Sequence, residues 1–323
     1  MVVNMTILVT MPHDEVIKKR FTDASPQAEF IFCDEGKALD QQLSKCDIII
    51  GTVPVKRLVG LEKLKWIHLS KAGANEYVEL SKKGVLVTVS SGAYGLAISE
   101  HMLGMLLMLM KKLHLYRDNQ NSGLWNDEGA VDSIFGATVL VVGVGDIGGE
   151  FAKRCHKLGA YVIGIRRMIG MKPDYLDELH DMSALHELIK RADVLALSLP
   201  GGEDTHHIIS RSELEIMKRG TIILNVGRGN AIDTEALADF VADGRICCGL
   251  DVTDPEPLPK EHRLWYMKNA FISPHISGFY HLKHTHDRIV DIACENIRRY
   301  FDKKELLNLL DEQTGYRMSD NRA

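Results

Sequence analysis

Short apolar runs alternate with amphipathic segments along most of the 323 residues. In the first part of the chain these runs have the length and β-branched content of strands, and segments of helical character separate them. The predicted strands are Thr6–Thr10, Glu29–Cys33, Asp47–Ile50, Trp66–Leu69 and Val85–Val89. This alternation predicts βα units and therefore a parallel sheet.

The same alternation resumes in the second part of the chain. Ala137–Val142 is a continuous run typical of a strand that is buried on both faces. The further predicted strands are Tyr161–Ile165, Val194–Leu199, Thr221–Asn225, Ile246–Leu250 and Phe271–Ile272. Right-handed crossovers through the intervening helices predict a single doubly wound sheet.

Two longer helices are predicted outside this alternation. Leu96–Tyr116 is apolar on nearly all faces, which is typical of a helix buried between layers or subunits. We interpret it as a bridge between domains and as a dimer surface. Residues 117–136 are polar with little periodicity and are expected to form an arm or loop. The last helix, Leu282–Tyr300, continues beyond the second sheet and is expected to return to the first domain.

A glycine motif follows the run Ala137–Val142 directly. Its glycines are Gly143, Gly145 and Gly148, in the pattern Gly-x-Gly-x-x-Gly, and apolar residues then recur at helical spacing up to Gly159. Strand, glycine turn and helix form the context in which this motif binds a dinucleotide. The first glycine permits a tight turn, the second lets a pyrophosphate approach the backbone, and the third lets helix pack on strand. The alternative is a glycine-rich turn without a ligand.

These patterns predict an α/β protein with two doubly wound domains. We expect a flavodoxin-like substrate domain formed by residues 1–96 and 283–323, and a Rossmann cofactor domain formed by residues 97–282. A chain of 323 residues has room for two domains of ordinary size.

Composition narrows the class of protein. The chain is 45% hydrophobic and 26% charged, as in ordinary soluble proteins, and its net charge of -5 argues against nucleic acid or anionic membranes as partners. The six cysteines include no CxxC pair, so we expect reduced thiols, no metal site and a cytoplasmic location. The apolar stretch Met102–Met110 is too short to cross a membrane.

Two arginines follow the second strand of the predicted dinucleotide fold. NAD-specific folds normally carry Asp or Glu at this point to bind the ribose hydroxyls, whereas Arg166 and Arg167 stand here. A guanidinium can pair with a 2′-phosphate through two hydrogen bonds, so NADP is expected in preference to NAD. The alternative is that both arginines are solvated and that NAD is held by other contacts.

Three further stretches place reactive side chains at strand ends, where open α/β sheets bind their ligands. Asn225–Gly229 contains Arg228, Gly249–Pro257 contains Glu256, and Ile272–Gly278 contains His275. We expect these three side chains to converge on one crevice.

Together with the glycine motif, these stretches make the chain resemble the D-isomer-specific 2-hydroxyacid dehydrogenases over essentially its whole length. The motifs that carry the resemblance are Leu64-Lys65-Trp66-Ile67, Ala72-Gly73, Glu100-His101, the glycine motif, Asn225-x-x-Arg228-Gly229, Asp251-x-x-x-x-Glu256-Pro257 and Pro274-His275-x-Ser277-Gly278. The resemblance implies NAD(P)H-dependent, reversible reduction of a small 2-oxo acid to a D-2-hydroxy acid by a homodimer.

The resemblance also implies roles for individual residues. Arg228, Glu256 and His275 would be catalytic, and Asp251 would contact the nicotinamide amide. The substrate carboxylate would lie on the backbone amides of Ala72 and Gly73 and on Arg228. Further cofactor contacts would come from Asp146, Ile147, Leu199, Pro200, Thr205, Val226, Gly227 and Gly278.

The chain departs from the family pattern beside the Ala72-Gly73 turn. Asn75 stands where an aspartate is common, and Lys71 precedes the turn. Lys71 either adds positive charge near the tail of the acid or faces water. Trp125 is a further candidate for the substrate pocket, contributed by a neighbouring subunit.

Elementary chemistry agrees with this assignment. Reduction of a 2-oxo acid needs a hydride at C2 and a proton at the carbonyl oxygen. The ordinary pKa of a histidine, about 6.5, suits His275 as the proton donor. Glu256, if hydrogen-bonded to the ring, would favour imidazolium. Arg228 would hold the carboxylate and polarise the carbonyl group.

Two rival functions share this architecture. Dinucleotide-sensing corepressors resemble these dehydrogenases and can keep the catalytic trio, so the trio alone does not exclude them. Formate-oxidising relatives are expected to carry glutamine in place of Glu256, which argues against them. We therefore expect a dehydrogenase.

Three histidines follow the predicted site at helical spacing, and we interpret them as surface or interface residues: His281, His284 and His286.

Overall fold

The computed structural model describes residues 5–34, 36–38 and 40–318. The chain divides into two compact units, Met1–Ala93 with Leu282–Ala323, and Tyr94–His281. The sequence places these boundaries after residues 96 and 282, and its ranges include residues 1–4, 35, 39 and 319–323, which lie outside the described residues.

All strands pair in parallel within two sheets. The strands are β1 Thr6–Val9, β2 Glu29–Phe32, β3 Ile48–Ile50, β4 Trp66–Leu69, β5 Leu86–Val89, β6 Thr138–Val142, β7 Tyr161–Ile165, β8 Glu178–His180, β9 Val194–Leu197, β10 Thr221–Asn225, β11 Ile246–Leu250 and β12 Ala270–Ile272. The helices are α1 Glu15–Ala24, α2 Asp40–Leu43, α3 Val78–Ser81, α4 Gly95–Met110, α5 Leu113–Asn121, α6 Asp146–Lys157, α7 Leu185–Ile189, α8 Arg211–Ile216, α9 Thr234–Ala242 and α10 Lys283–Phe301.

The first unit contains a sheet of order β2-β1-β3-β4-β5. This is the flavodoxin-like order, in which the chain reverses its winding direction at the first strand. The C-terminal helix α10 packs against α1, and Arg20 on α1 pairs with Asp287 and Asp291 on α10. The last helix is therefore an integral layer of this unit.

The second unit contains a sheet of order β12-β11-β10-β9-β6-β7-β8. Numbered from β6, this is the Rossmann order 3-2-1-4-5-6 with one further strand at the edge. The switch of winding direction falls between β6 and β9, so the carboxyl ends of these strands border the crevice in which such sheets bind ligands. The predicted fold class, two doubly wound α/β domains, is confirmed.

The prediction of one long helix over Leu96–Tyr116 is wrong in one respect. The structure has two helices, α4 and α5, because Lys112 adopts a left-handed backbone with φ of 55°. Part of the segment expected to be an arm, residues 117–121, is helical in α5. Helix α4 packs on α6, β10 and β11, which buries apolar side chains such as Met105 and Leu106, whereas Glu100, Gly104 and Leu107 are exposed. Among the described helices, none is both long and apolar enough to cross a membrane.

A buried polar network lies in the first sheet. Trp66 Nε1 donates a hydrogen bond to Thr88 Oγ1 at 2.9 Å, and the same hydroxyl lies 2.8 Å from His68 Nδ1. Ser90 Oγ lies 3.1 Å from His68 Nε2 and donates to the carbonyl of Leu69. A neutral imidazole that carries its proton on Nε2 satisfies every one of these contacts.

Burial lowers the pKa of His68 to about 3. In the unfolded chain the same ring has a pKa of about 6.5, so below that pH the unfolded state binds a proton that the folded state does not. The contribution of neutral His68 to stability is therefore complete above pH 6.5 and is lost as the pH falls towards 3.

We expect the free energy of unfolding to fall by about 1.4 kcal/mol per pH unit because of His68 alone between these limits. His68→Asn, which retains a polar atom at the position of Nδ1, should show a slope that is shallower by about this amount. Denaturant unfolding from pH 8 to pH 4 measures the two slopes. Parallel pH profiles for the wild type and the variant would contradict the assignment.

Candidate active site

The glycine motif lies at the carboxyl end of β6, at the switch point of the second sheet. Gly143 has φ of +98°, and Ser198 Oγ, beyond the end of β9, donates to its carbonyl oxygen at 2.7 Å. A Cβ atom at Gly148 would lie 2.2 Å from that carbonyl oxygen, whereas a Cβ atom at Gly145 would meet nothing within 4 Å. Gly148 is thus required for packing, and Gly145 faces open space.

Helix α6 begins immediately after Gly145. Its first residue, Asp146, accepts a hydrogen bond from the backbone N–H of Gly95 at 2.9 Å, which joins the N-termini of α4 and α6. Ile147 is half-buried in the first turn of the helix. The first-turn N–H groups have no partners within a helix, so this end suits a phosphate group.

The two arginines follow β7. The backbone N–H of Arg166 donates to the carbonyl of His180 on β8, which fixes the start of the loop. Arg166 Nε is buried and has no hydrogen-bond partner within the described part of the chain, whereas Arg167 is exposed. A buried donor without an acceptor costs free energy, so Arg166 is the better of the two candidates for an anionic ligand.

His275 and Glu256 form a close pair. His275 Nδ1 lies 2.6 Å from Glu256 Oε1, and the side chains are 47% and 43% exposed. Glu256 lies in the loop after β11 and His275 in the loop after the neighbouring β12, so both come from the carboxyl edge of the sheet. The carboxylate selects a proton on Nδ1, which leaves Nε2 for exchange with a substrate.

The backbone at His275 is unusual, with φ of 52° in the left-handed region. Its N–H donates to the carbonyl of Asp251 at 2.8 Å. A non-glycine residue in this region is held by its surroundings.

The carboxylate of Asp251 provides that constraint. Asp251 is 1% exposed and accepts four hydrogen bonds, from Ser273 Oγ at 2.6 Å, Ile276 N at 3.0 Å, Ser277 N at 3.1 Å and Ser277 Oγ at 2.5 Å. Burial acts to raise its pKa, but the hydrogen bonds from Ser273 and Ser277 outweigh burial, and the pKa is lowered. The ionised carboxylate thereby clamps the loop on both sides of His275.

His101 on α4 extends this network. Its Nε2 lies 3.0 Å from Ser273 Oγ, whose proton is directed to Asp251. The ring must therefore donate to Ser273. The sequence marks Glu100-His101 as a family motif but gives His101 no role. In the sequence, Ser273 and Ser277 on either side of His275 are the signal from which this network could have been predicted.

Arg228 follows β10, the strand beside β11. Asn225 binds the loop from both sides, accepting from the N–H of Gly227 at 3.0 Å and donating to the carbonyl of Arg228 at 2.9 Å. A Cβ atom at Gly201 would lie 3.1 Å from Arg228 Cγ, so the stem of Arg228 packs on the loop after β9. Arg228, Glu256 and His275 thus follow three adjacent strands.

The other predicted cofactor residues of this unit lie along the same edge. Leu199 and Val226 are buried, and Thr205 Oγ1 donates to the carbonyl of Pro200 at 2.8 Å. A Cβ atom at Gly227 would lie 2.5 Å from the carbonyl oxygen of Leu199. Gly278 packs near Ile98 of α4.

The predicted substrate-binding turn belongs to the first unit. Ala72 and Gly73 follow β4, and neither backbone N–H has an acceptor among the described residues. Lys71 forms an ion pair with Glu76, and its Nζ lies 4.9 Å from the centre of the Tyr77 ring. Lys71 is therefore engaged within its own unit.

Comparison with known proteins agrees with this geometry. Residues 103–277 match the family model of the D-isomer specific 2-hydroxyacid dehydrogenase NAD-binding domain. The chain belongs to the D-isomer-specific 2-hydroxyacid dehydrogenases. Three features of this unit fit a bound dinucleotide, namely the open space at Gly145, the N-terminus of α6 and the buried Nε of Arg166.

Individual members of this family show the same relationship. D-3-phosphoglycerate dehydrogenase of Methanocaldococcus jannaschii is 28% identical over 278 residues, covering 83% of this chain but only 52% of that protein. Glyoxylate reductase of Thermococcus gammatolerans is 31% identical over 210 residues, 62% of each protein. A crystal structure of a family member from Aeromonas salmonicida has 29% identity and a TM-score of 0.85, covering 96% of this chain and 99% of that one. These named relatives do not favour the corepressor alternative.

Gly145 and Gly148 provide a matched test of the dinucleotide site. Gly148→Ala places its methyl group against a backbone oxygen, and we expect a loss of about 1–3 kcal/mol in the free energy of unfolding. Gly145→Ala meets no protein atom, and we expect a much smaller stability change but roughly tenfold or greater weakening of dinucleotide binding. Thermal unfolding and fluorescence titration with NADPH and NADH separate the two effects. Unchanged affinity in Gly145→Ala would argue against a pyrophosphate at this turn.

Proposed function

We propose that this protein catalyses the reversible, NAD(P)H-dependent reduction of a small 2-oxo acid to a D-2-hydroxy acid. The observation that carries the proposal is the 2.6 Å contact between His275 and Glu256, on the sheet edge that also holds the glycine loop. The relationship to named reductases supports the reaction class, although the chain spans about half the length of the Methanocaldococcus jannaschii relative.

A dinucleotide held by the glycine turn of residues 143–148 and the N-terminus of α6 would supply the hydride for C2 of the substrate. His275 donates the proton from Nε2 to the carbonyl oxygen, and Glu256, in contact with Nδ1, orients the ring. Arg228 holds the substrate carboxylate and stabilises the negative charge that develops on the carbonyl oxygen. In the reverse direction, His275 accepts the proton of the 2-hydroxyl group.

The substrate carboxylate requires hydrogen-bond donors as well as Arg228. We assign this task to the backbone N–H groups of Ala72 and Gly73, since neither has an acceptor in the described structure. Adjacent free amides at a strand end are a typical anion site. The carboxylate of Asp251 already accepts four hydrogen bonds from protein donors, and these position His275. A contact with the nicotinamide amide would be a second role of the same carboxylate.

We test the reaction by following the oxidation of NADPH and NADH with glyoxylate, hydroxypyruvate and pyruvate. His275→Ala should lower kcat by about 100- to 10,000-fold, because the proton donor is lost, and should leave dinucleotide affinity nearly unchanged. Glu256→Gln should lower kcat less, because the ring remains.

His186→Ala is the matched control, since His186 is exposed and lies 3.6 Å from Glu213 elsewhere in the same unit. It should retain full activity. Turnover of His275→Ala within a few-fold of the wild type would remove the proton-donor role, and a wild type inactive with all three acids would contradict the proposed substrates.

We further propose that NADPH is preferred to NADH. The support is Arg166, whose buried Nε lacks a protein acceptor and which stands where NAD-specific folds carry an acid. A 2′-phosphate would supply the acceptor.

Arg166→Asp should raise the KM for NADPH at least tenfold more than the KM for NADH, because the aspartate repels the phosphate and accepts from the ribose hydroxyls. Arg219→Asp, at an exposed arginine of the same unit, should change neither value. Steady-state kinetics with both cofactors give the ratio. Equal changes in the KM for NADPH and for NADH would show that Arg166 does not bind the 2′-phosphate.

We also propose a cytoplasmic homodimer. Large apolar side chains are exposed along one stretch of the chain, and such patches commonly mark protein interfaces. They are Leu113, Leu124, Trp125, Val131 and Phe135. Trp125 is fully exposed and fits contribution to a neighbouring subunit. All six cysteines are free, as in a reducing compartment.

A further inference from the structure

Two histidines and an aspartate lie together outside the pair formed by His275 and Glu256. Nitrogen atoms of His206 and His207 and a carboxylate oxygen of Asp254 all lie within 4.8 Å of one another. The two imidazole rings are stacked, with centroids 4.0 Å apart and planes 26° apart. All three side chains are exposed, and none has a hydrogen bond or ion pair within the described part of the chain.

The backbone around these residues is held in place. The N–H of His207 donates to the carbonyl of Asn230 at 2.8 Å. A Cβ atom at Gly229 would lie 2.0 Å from the carbonyl group of Thr253 and 2.7 Å from the nitrogen of Asp254. The loops after β9, β10 and β11 are therefore packed directly on one another.

The chemistry of the three groups indicates a particular class of ligand. Imidazole nitrogens with one carboxylate suit Zn²⁺, Co²⁺, Ni²⁺ and Cu²⁺, whereas Mg²⁺ and Ca²⁺ prefer oxygen ligands. Ligand atoms around a tetrahedral Zn²⁺ ion are about 3.3 Å apart, so small rotations of exposed side chains suffice to close the set. Solvent access leaves the fourth position to water.

We propose that His206, His207 and Asp254 form a binding site for one divalent transition-metal ion per chain. The ion joins the loop after β9, which contains Thr205, to the loop after β11, which contains Glu256. Because Asp254 lies in the same loop as Glu256, the ion holds that loop, and with it Glu256, in place without contacting the substrate. The proposal does not depend on the proposed reaction, because metal binding is measurable without turnover.

The test uses the full chain, first freed of metal with a chelator, and Co²⁺ as the probe. We expect visible d–d absorption that saturates at one Co²⁺ ion per chain, and displacement of Co²⁺ by Zn²⁺. The double variant with His206→Ala and His207→Ala should lose this absorption, and Asp254→Asn should weaken binding at least tenfold. Zn²⁺ should raise the Tm of the wild type and leave the Tm of the double variant unchanged.

The matched control is the double variant with His281→Ala and His284→Ala, which removes two other exposed histidines. It should bind Co²⁺ as the wild type does. The proposal is overturned if the wild type gives no saturable absorption, if absorption survives in the His206 and His207 double variant, or if it disappears in the control. Unchanged Tm values of the metal-free variants establish that folding is intact.

Discussion

The buried carboxylate of Asp251 determines where His275 stands. Four hydrogen bonds from residues 273–277 fill its two oxygens, and the carbonyl of the same residue accepts the N–H of His275. An ionised carboxylate is stable at 1% exposure only because these donors replace water. The left-handed backbone of His275 follows from this clamp, and so does the 2.6 Å contact of its ring with Glu256.

Close packing of the loops gives the same sheet edge its rigidity. Gly148, Gly227 and Gly229 each lie where a Cβ atom would come within 2.5 Å of a backbone atom of a neighbouring segment. Larger residues would force these loops apart. Gly145 differs because its Cβ position is open, and the space in front of it is what a dinucleotide needs.

The second unit therefore combines two requirements of the proposed reaction. The glycine turn at the end of β6 and the arginine after β7 suit the phosphates of a dinucleotide, while Arg228, Glu256 and His275 follow β10, β11 and β12. Parallel strands bring these distant segments to one edge, since all their carboxyl ends point the same way. In the first unit, the backbone N–H groups of Ala72 and Gly73 have no acceptor among the described residues.

The sequence by itself determined the two parallel sheets, the glycine turn and the strand ends that carry the reactive residues. These features are local: a β-branched run, a Gly-x-Gly-x-x-Gly spacing and a breaker after each strand are encoded by neighbouring residues. It did not predict β8, whose three half-buried residues form an edge strand without an apolar run, nor the break at Lys112 between α4 and α5. Only the tertiary structure decided how Asp251 joins Ser273 and His101, and how His206 and His207 meet Asp254. Asp251 and Ser273 are 22 positions apart in the chain, and His101 and Ser273 are 172 positions apart. His206 and His207 are about 50 positions from Asp254. Such contacts form only when pairing of the strands in the sheet brings the loops together.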